Sequence, residues 1–109
     1  MIFISIANDF SSTPGGRFIS EGPFSGELFR NELLRPKYLE AIEKKEKLHI
    51  DLDGCFGYPS SFIDESFGQL ARDLKDKNIL DNIEFKSEDQ PNLLPYIQEC
   101  VRNDERSKR

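Results

Sequence analysis

The sequence predicts an α/β fold: a small layered domain with a mixed sheet of about four strands and three to four helices. Runs of β-branched and aromatic residues at 2–6, 48–52 and 83–86 read as strands. Between them, apolar residues recur at spacings of three and four, which is the period of a helix with one buried face. Helices between strands let neighbouring strands run parallel through right-handed crossovers. At 109 residues the chain has room for one domain, assigned to residues 1–103, with 104–109 as a disordered charged tail.

The first strand is followed by turn chemistry in "NDFSSTPGG", and "RFIS" offers a second short strand, so the chain is expected to open on a β-hairpin or a strand pair. From Ser25, the residues Leu28, Phe29, Leu33, Leu34, Tyr38, Leu39 and Ile42 share a helical face. Pro36 lies inside this pattern without an N–H to donate, which predicts a kink or a split. "EKKEK" closes the helix. "LHIDL" then places Leu48, Ile50 and Leu52 on one side of a strand and His49 and Asp51 on the other, read as a buried sheet edge. Past a glycine loop, Phe62, Ile63, Phe67, Leu70, Ala71 and Leu74 form a second apolar stripe, leaving Asp64, Glu65, Arg72 and Asp73 for the surface. The last helix carries Leu93, Leu94, Ile97 and Val101, with Pro91 near its start and Pro95 in its first turn.

Composition narrows the classes of function. With 37% hydrophobic and 32% charged residues the chain reads as globular, and a net charge of -5 gives no field that draws it to nucleic acid or to an anionic membrane. The tail "RNDERSKR" is basic but interrupted by Asp104 and Glu105. Cys55 and Cys100 are far apart and His49 is the single histidine, so no metal site is expected and two buried thiols are. "STPGGRF" and "SEGPFSGE" lack the phosphate-binding glycine patterns and read as turns, so no cofactor is expected. The start "MIFISIANDF" lacks the basic leader and cleavage site of a signal peptide, and no run reaches the roughly 20 apolar residues of a membrane span. A cytoplasmic location is the expectation; the oligomeric state is left open.

The chemistry-bearing stretch is "HIDLDGCFGYPSSFIDESFG". One reading is an enzyme. Asp51-Leu52-Asp53-Gly54 after an apolar strand resembles the signature of haloacid-dehalogenase-type phosphotransferases, in which one aspartate attacks phosphorus and the other moves a proton with magnesium present. The alternative function on that reading is a small magnesium-dependent phosphotransferase or phosphatase. A second reading is a strand-to-helix corner: Gly54 and Gly57 allow tight backbone, Pro59 stiffens it, and Ser61 with Asp64 forms a capping-box-like pair worth about 1 kcal/mol.

A third reading comes from resemblance. "DLDGCFGYPSSFIDESFGQLA" is similar to the loop and helix of STAS domains in bacterial anti-sigma factor antagonists, where a serine at a helix start is phosphorylated. "GGRF", "GPFSGELFRNELLRP", "DLDG" and "SSFIDESFGQL", in this order over roughly residues 15 to 75, resemble the STAS-like family more closely still. The resemblance implies a STAS-like layered domain that is no enzyme but a regulatory protein-interaction module. Its partner would be a histidine-kinase-like ATPase or anti-sigma-type kinase. It places Ser60 at the phosphorylated position and Ser61 next to it, with Pro59 where an aspartate is usual. An alternative register, Asp64-Glu65-Ser66-Phe67-Gly68, puts Ser66 inside the helix. The partner surface implied is Gly57, Tyr58, Ser60, Phe62 and Glu65, and Arg17 and Arg30 are basic residues shared with the family. A phosphate there meets helix-start N–H groups that attract it and carboxylates that repel it, each effect about 1–2 kcal/mol. A docking surface shaped for a neutral hydroxyl would lose affinity for its partner.

Overall fold

The computed structural model describes residues 1–103, so the charged tail expected at 104–109 lies outside the described residues. Among them, three strands form a wholly parallel sheet in the order β1 (Ile2–Ser5), β2 (Leu48–Asp51), β3 (Ile83–Lys86). The expectation of a mixed sheet of about four strands is corrected: each strand-to-strand connection carries helix, and β2, read as an edge, is the middle strand. The register aligns Ile2, Leu48 and Ile83 in one row and Ile4, Ile50 and Phe85 in the next. These rows face the helices, whereas Phe3, His49 and Glu84 share the opposite face, where Phe3 is 45% exposed.

The segment "RFIS", expected as a strand, folds back on itself. The N–H groups of Arg17 and Phe18 both donate to Glu21 Oε1 at 2.7 Å, and that of Ile19 donates to Glu27 Oε1 at 2.9 Å. Amides captured by nearby carboxylates are lost to a sheet ladder. A single 3₁₀ turn, Ile19–Glu21, results.

The first long helix begins at α1 (Gly26–Phe29), capped by Ser25 Oγ, which accepts from the Leu28 N–H at 3.1 Å. It passes through a wide π turn, Arg30–Leu34, into α2 (Arg35–Lys44). Pro36 does not split it: Phe29, Leu34 and Arg35 keep right-handed helical angles, and the Arg35 N–H reaches back five residues to the Arg30 carbonyl. The wider turn accommodates the ring and its missing donor. Its extra residue rotates the downstream helix face by about 100°. Leu39 and Ile42, expected on the buried stripe, are accordingly 43% and 44% exposed, while Tyr38 and Ala41 are buried.

The second helical rod repeats the device as α3 (Ser60–Ile63), a π turn at Asp64–Gly68, and α4 (Gln69–Leu74). This rod is central, packed by α1 on one side and by α5 (Leu93–Arg102) on another. Phe29, Phe62 and Phe67 meet at its heart, with ring centroids 5.7 Å and 6.2 Å from Phe29; such pairs add about 0.5–1.5 kcal/mol each beyond area burial. Two glycines permit the close packing. A Cβ on Gly26 would sit 2.6 Å from the Phe62 carbonyl oxygen, and one on Gly68 would sit 2.8 Å from Asp64 Oδ1 and 3.2 Å from the Cys100 carbonyl oxygen. In α5, Pro95 falls in the first turn, where its missing N–H has no helical partner to lose. No helix among the described residues is long and apolar enough to cross a membrane.

Candidate functional site

Because the strands are parallel, their carboxyl ends share one edge of the sheet, the usual location of sites in open α/β sheets. The loops after β1, β2 and β3 converge there, and "DLDGCFGYPS" is tied to both neighbours. Asp51 Oδ1 accepts from the Asp53 N–H at 2.9 Å, and Asp53 Oδ1 accepts from the Asp89 N–H at 2.9 Å. Asp89 Oδ2 in turn accepts from the Gly54 N–H at 3.2 Å. Hydrogen bonding to the Asp89 amide holds the Asp53 carboxyl below the ordinary aspartate value. Gly54 sits at φ +92°, where its Cβ would also crowd Ala7, so glycine is required at that turn.

On the side of β1, the Phe56 N–H donates to the Ser12 carbonyl at 2.9 Å, and the Cys55 thiol donates to the Ser11 carbonyl at 3.4 Å. The Tyr58 hydroxyl donates to the Leu52 carbonyl at 2.7 Å and lies 3.0 Å from Cys55 Sγ. Burial pushes the Tyr58 phenol far above its usual value, with the Cys55 hydrogen bond adding to the shift, and burial also raises the Cys55 thiol. Both cysteines are free and buried, as expected. The loop is therefore fixed at nearly every residue, yet the Phe56 side chain at its tip is 87% exposed. Phe56 was not among the sequence candidates; the signal was an aromatic isolated between Gly54-Cys55 and Gly57.

Ser60 is exposed at the first residue of α3, and Ser61 is half-buried beside it. The capping box expected of Ser61 and Asp64 does not form. The N-cap is Pro59, which has no side-chain acceptor to offer the first-turn amides, and Asp64 is turned into the protein. Ser66, the alternative register, is fully buried and its hydroxyl donates to the Phe62 carbonyl at 2.8 Å. Tyr58 and Ser60 line one side of a cleft of about 500 Å³, whose other side is Asp89, Leu93 and Tyr96.

Two of the residues expected on the partner surface are corrected. Phe62 is fully buried against Phe29, and Glu65 is 1% exposed. Asp64 and Glu65, assigned to the surface by periodicity, are interior because their rod is packed on more than one side. Their charge is met by arginines. Arg17 Nη1 lies 2.6 Å from Asp64 Oδ2 and 3.4 Å from Glu65 Oε1, and Arg30 Nη1 lies 2.8 Å from Glu65 Oε2 and 2.6 Å from its carbonyl. Arg72, also assigned to the surface, reaches Asp64 Oδ1 at 3.3 Å, with its side chain only 6% exposed. Arg17 and Arg30, which the resemblance gave as shared basic residues, thus bind the loop before α1 and the π turn after it to the central rod.

The Asp51 and Asp53 carboxylates of the phosphotransferase reading are both occupied as acceptors for loop amides. Among the described residues, no three His, Cys, Asp or Glu side chains are grouped so that they could hold a metal ion.

The fold is a small parallel α/β layer with a tied loop at the carboxyl edge of its sheet, an arrangement consistent with a STAS-like domain. The chain belongs to the family described as STAS-like domain of unknown function (DUF4325), which matches residues 25–93. No curated protein and no solved structure matches it.

Proposed function

We propose that the protein is a non-enzymatic regulatory protein-interaction module whose partner face is the loop from Asp53 to Ser60 and the adjoining cleft. Membership of a STAS-like family supports a regulatory role. The observation that carries the placement is Phe56, a large apolar side chain left 87% exposed on a loop whose backbone and polar side chains are otherwise tied down. An aromatic whose backbone is already immobile loses little entropy on docking, which is the character of an interface anchor.

Ser60 is the switch in this reading, with Ser61 as the second candidate. A phosphoryl group there adds about two negative charges at the mouth of the cleft, at a helix start to which Pro59 offers no side-chain cap, with Asp89 in the same lining. The partner is a histidine-kinase-like ATPase that phosphorylates this serine, in a cytoplasmic setting. The test is capture of the wild-type, Ser60→Ala and Ser60→Asp chains by purified histidine-kinase-like ATPases from the same host, with intact-mass analysis after ATP is added. The reading expects one phosphoryl group, lost in Ser60→Ala, and unequal capture. Equal capture of all three with no added mass overturns it.

A further inference from the structure

An interaction module switched at Ser60 must receive some group of its partner in the cleft beside that serine. We propose that the cleft seats a basic side chain of the partner, an arginine or a lysine, between Tyr58 and Tyr96 with its charge on Asp89; this rests on the interaction-module reading.

The walls suit a long side chain with a charged end. Tyr58, Tyr96 and Leu93 line the cleft and give apolar and aromatic surface to a methylene stem, and an aromatic ring attracts a cation that settles over its face. The volume, about 500 Å³, lies within the range of about 300–1,000 Å³ typical of ligand sites. Asp89 is the sole charged residue of the lining. Its main chain donates to Asp53 and its own carboxylate accepts from Gly54, so the acid is held in place before any ligand arrives. Its interactions among the described residues are with backbone amides and the Asp53 carboxylate, and none is with a lysine or an arginine.

The charge also decides between occupants. An acidic segment would meet Asp89 and Asp53, and a second copy of this chain would bring a net charge of -5 against the same acids. A basic side chain is favoured by both, and arginine adds stacking on the tyrosines. The same electrostatics set the sign of the switch. A phosphate on Ser60 adds negative charge to the same cleft and strengthens its hold on a cation, opposite to the loss expected for a surface built around a neutral hydroxyl.

The test uses the full chain, labelled with ¹⁵N, and a short peptide probe, acetyl-Gly-Arg-Gly-amide, with its lysine, citrulline and all-proline counterparts. The arginine and lysine peptides are expected to give saturable amide shifts at Tyr58, Ser60, Asp89, Leu93 and Tyr96, with an affinity on the order of millimolar. Asp89→Asn, which keeps an acceptor for Gly54, weakens binding about fivefold, and Tyr96→Leu weakens it about twofold to fivefold. Ser60→Glu tightens it. Equal shifts from the citrulline or proline peptide, no saturable shift at these residues, or an affinity unmoved by Asp89→Asn and Ser60→Glu overturns the proposal. If the peptides fail while Ser60→Asp still alters capture by the ATPase, the cleft assignment falls and the interaction module stands.

Discussion

The protein keeps two groups of carboxylates, and they are used in opposite ways. Asp64 and Glu65 lie in the interior, 1% exposed, each within reach of two arginines. Asp53 and Asp89 lie at the edge of the sheet, where their hydrogen bonds run to loop amides and not to cations. Taking an acid out of water costs several kcal/mol and demands a partner inside the protein, so the first group is committed to holding the fold. The second stays in contact with water and shapes the loop. The difference shows that a charged residue beside a motif is no evidence for a site until its partners are known.

Breaking the interior group is expected to have the largest effect. Glu65→Ala leaves Arg30 buried at 9% side-chain exposure without its closest acid and costs about 3–5 kcal/mol in urea unfolding. A loss below about 1 kcal/mol would mean that the arginines find water or other acids easily. At the edge, Tyr58→Phe removes one hydrogen bond to the Leu52 carbonyl and costs about 1 kcal/mol, seen as a small drop in the urea midpoint with an unchanged slope. An unaltered midpoint would show that the phenol contributes only packing.

Acid sharpens the comparison further. Because the Asp53 carboxyl is lowered in the folded protein, the link it makes contributes above the unfolded value of about 3.9 and is lost as pH falls through the lower folded value. The Asp89 amide resonance is therefore expected to stay fixed from neutral pH down to about 4 and to move only below it; movement around pH 5–6 would contradict the link. The smallest effect on stability belongs to Phe56→Ser, within about 0.5 kcal/mol of wild type because the ring is in water already. The same substitution is expected to abolish capture by the ATPase, and retained capture would remove Phe56 as an anchor.

Residue type located β1, β2 and β3, as runs of β-branched and aromatic side chains, and periodicity located the apolar stripes of both helical rods and the last helix. It misplaced Leu39 and Ile42 because a π turn adds a residue and rotates the face beyond it, and a pattern of threes and fours carries no mark of it; it misplaced Asp64 and Glu65 because their rod is packed on more than one side, which periodicity along one helix does not record. "RFIS" failed as a strand because Glu21 and Glu27, several residues away, take its amides. The exposed Ser60 and the Tyr58 beside it were legible as residues at a helix start. The cleft was not, since its second wall comes from Asp89, Leu93 and Tyr96, about thirty residues further on, brought near by parallel strand order.

The most direct test of the proposed partner face is hydrogen–deuterium exchange of the chain, free and mixed with the histidine-kinase-like ATPase proposed as its partner. Protection confined to residues 53–60 and 89–96 is predicted, with the amides of Phe3, His49 and Glu84 unchanged. Protection centred on that open face of the sheet, with the loop after β2 exchanging as in the free chain, would contradict the account.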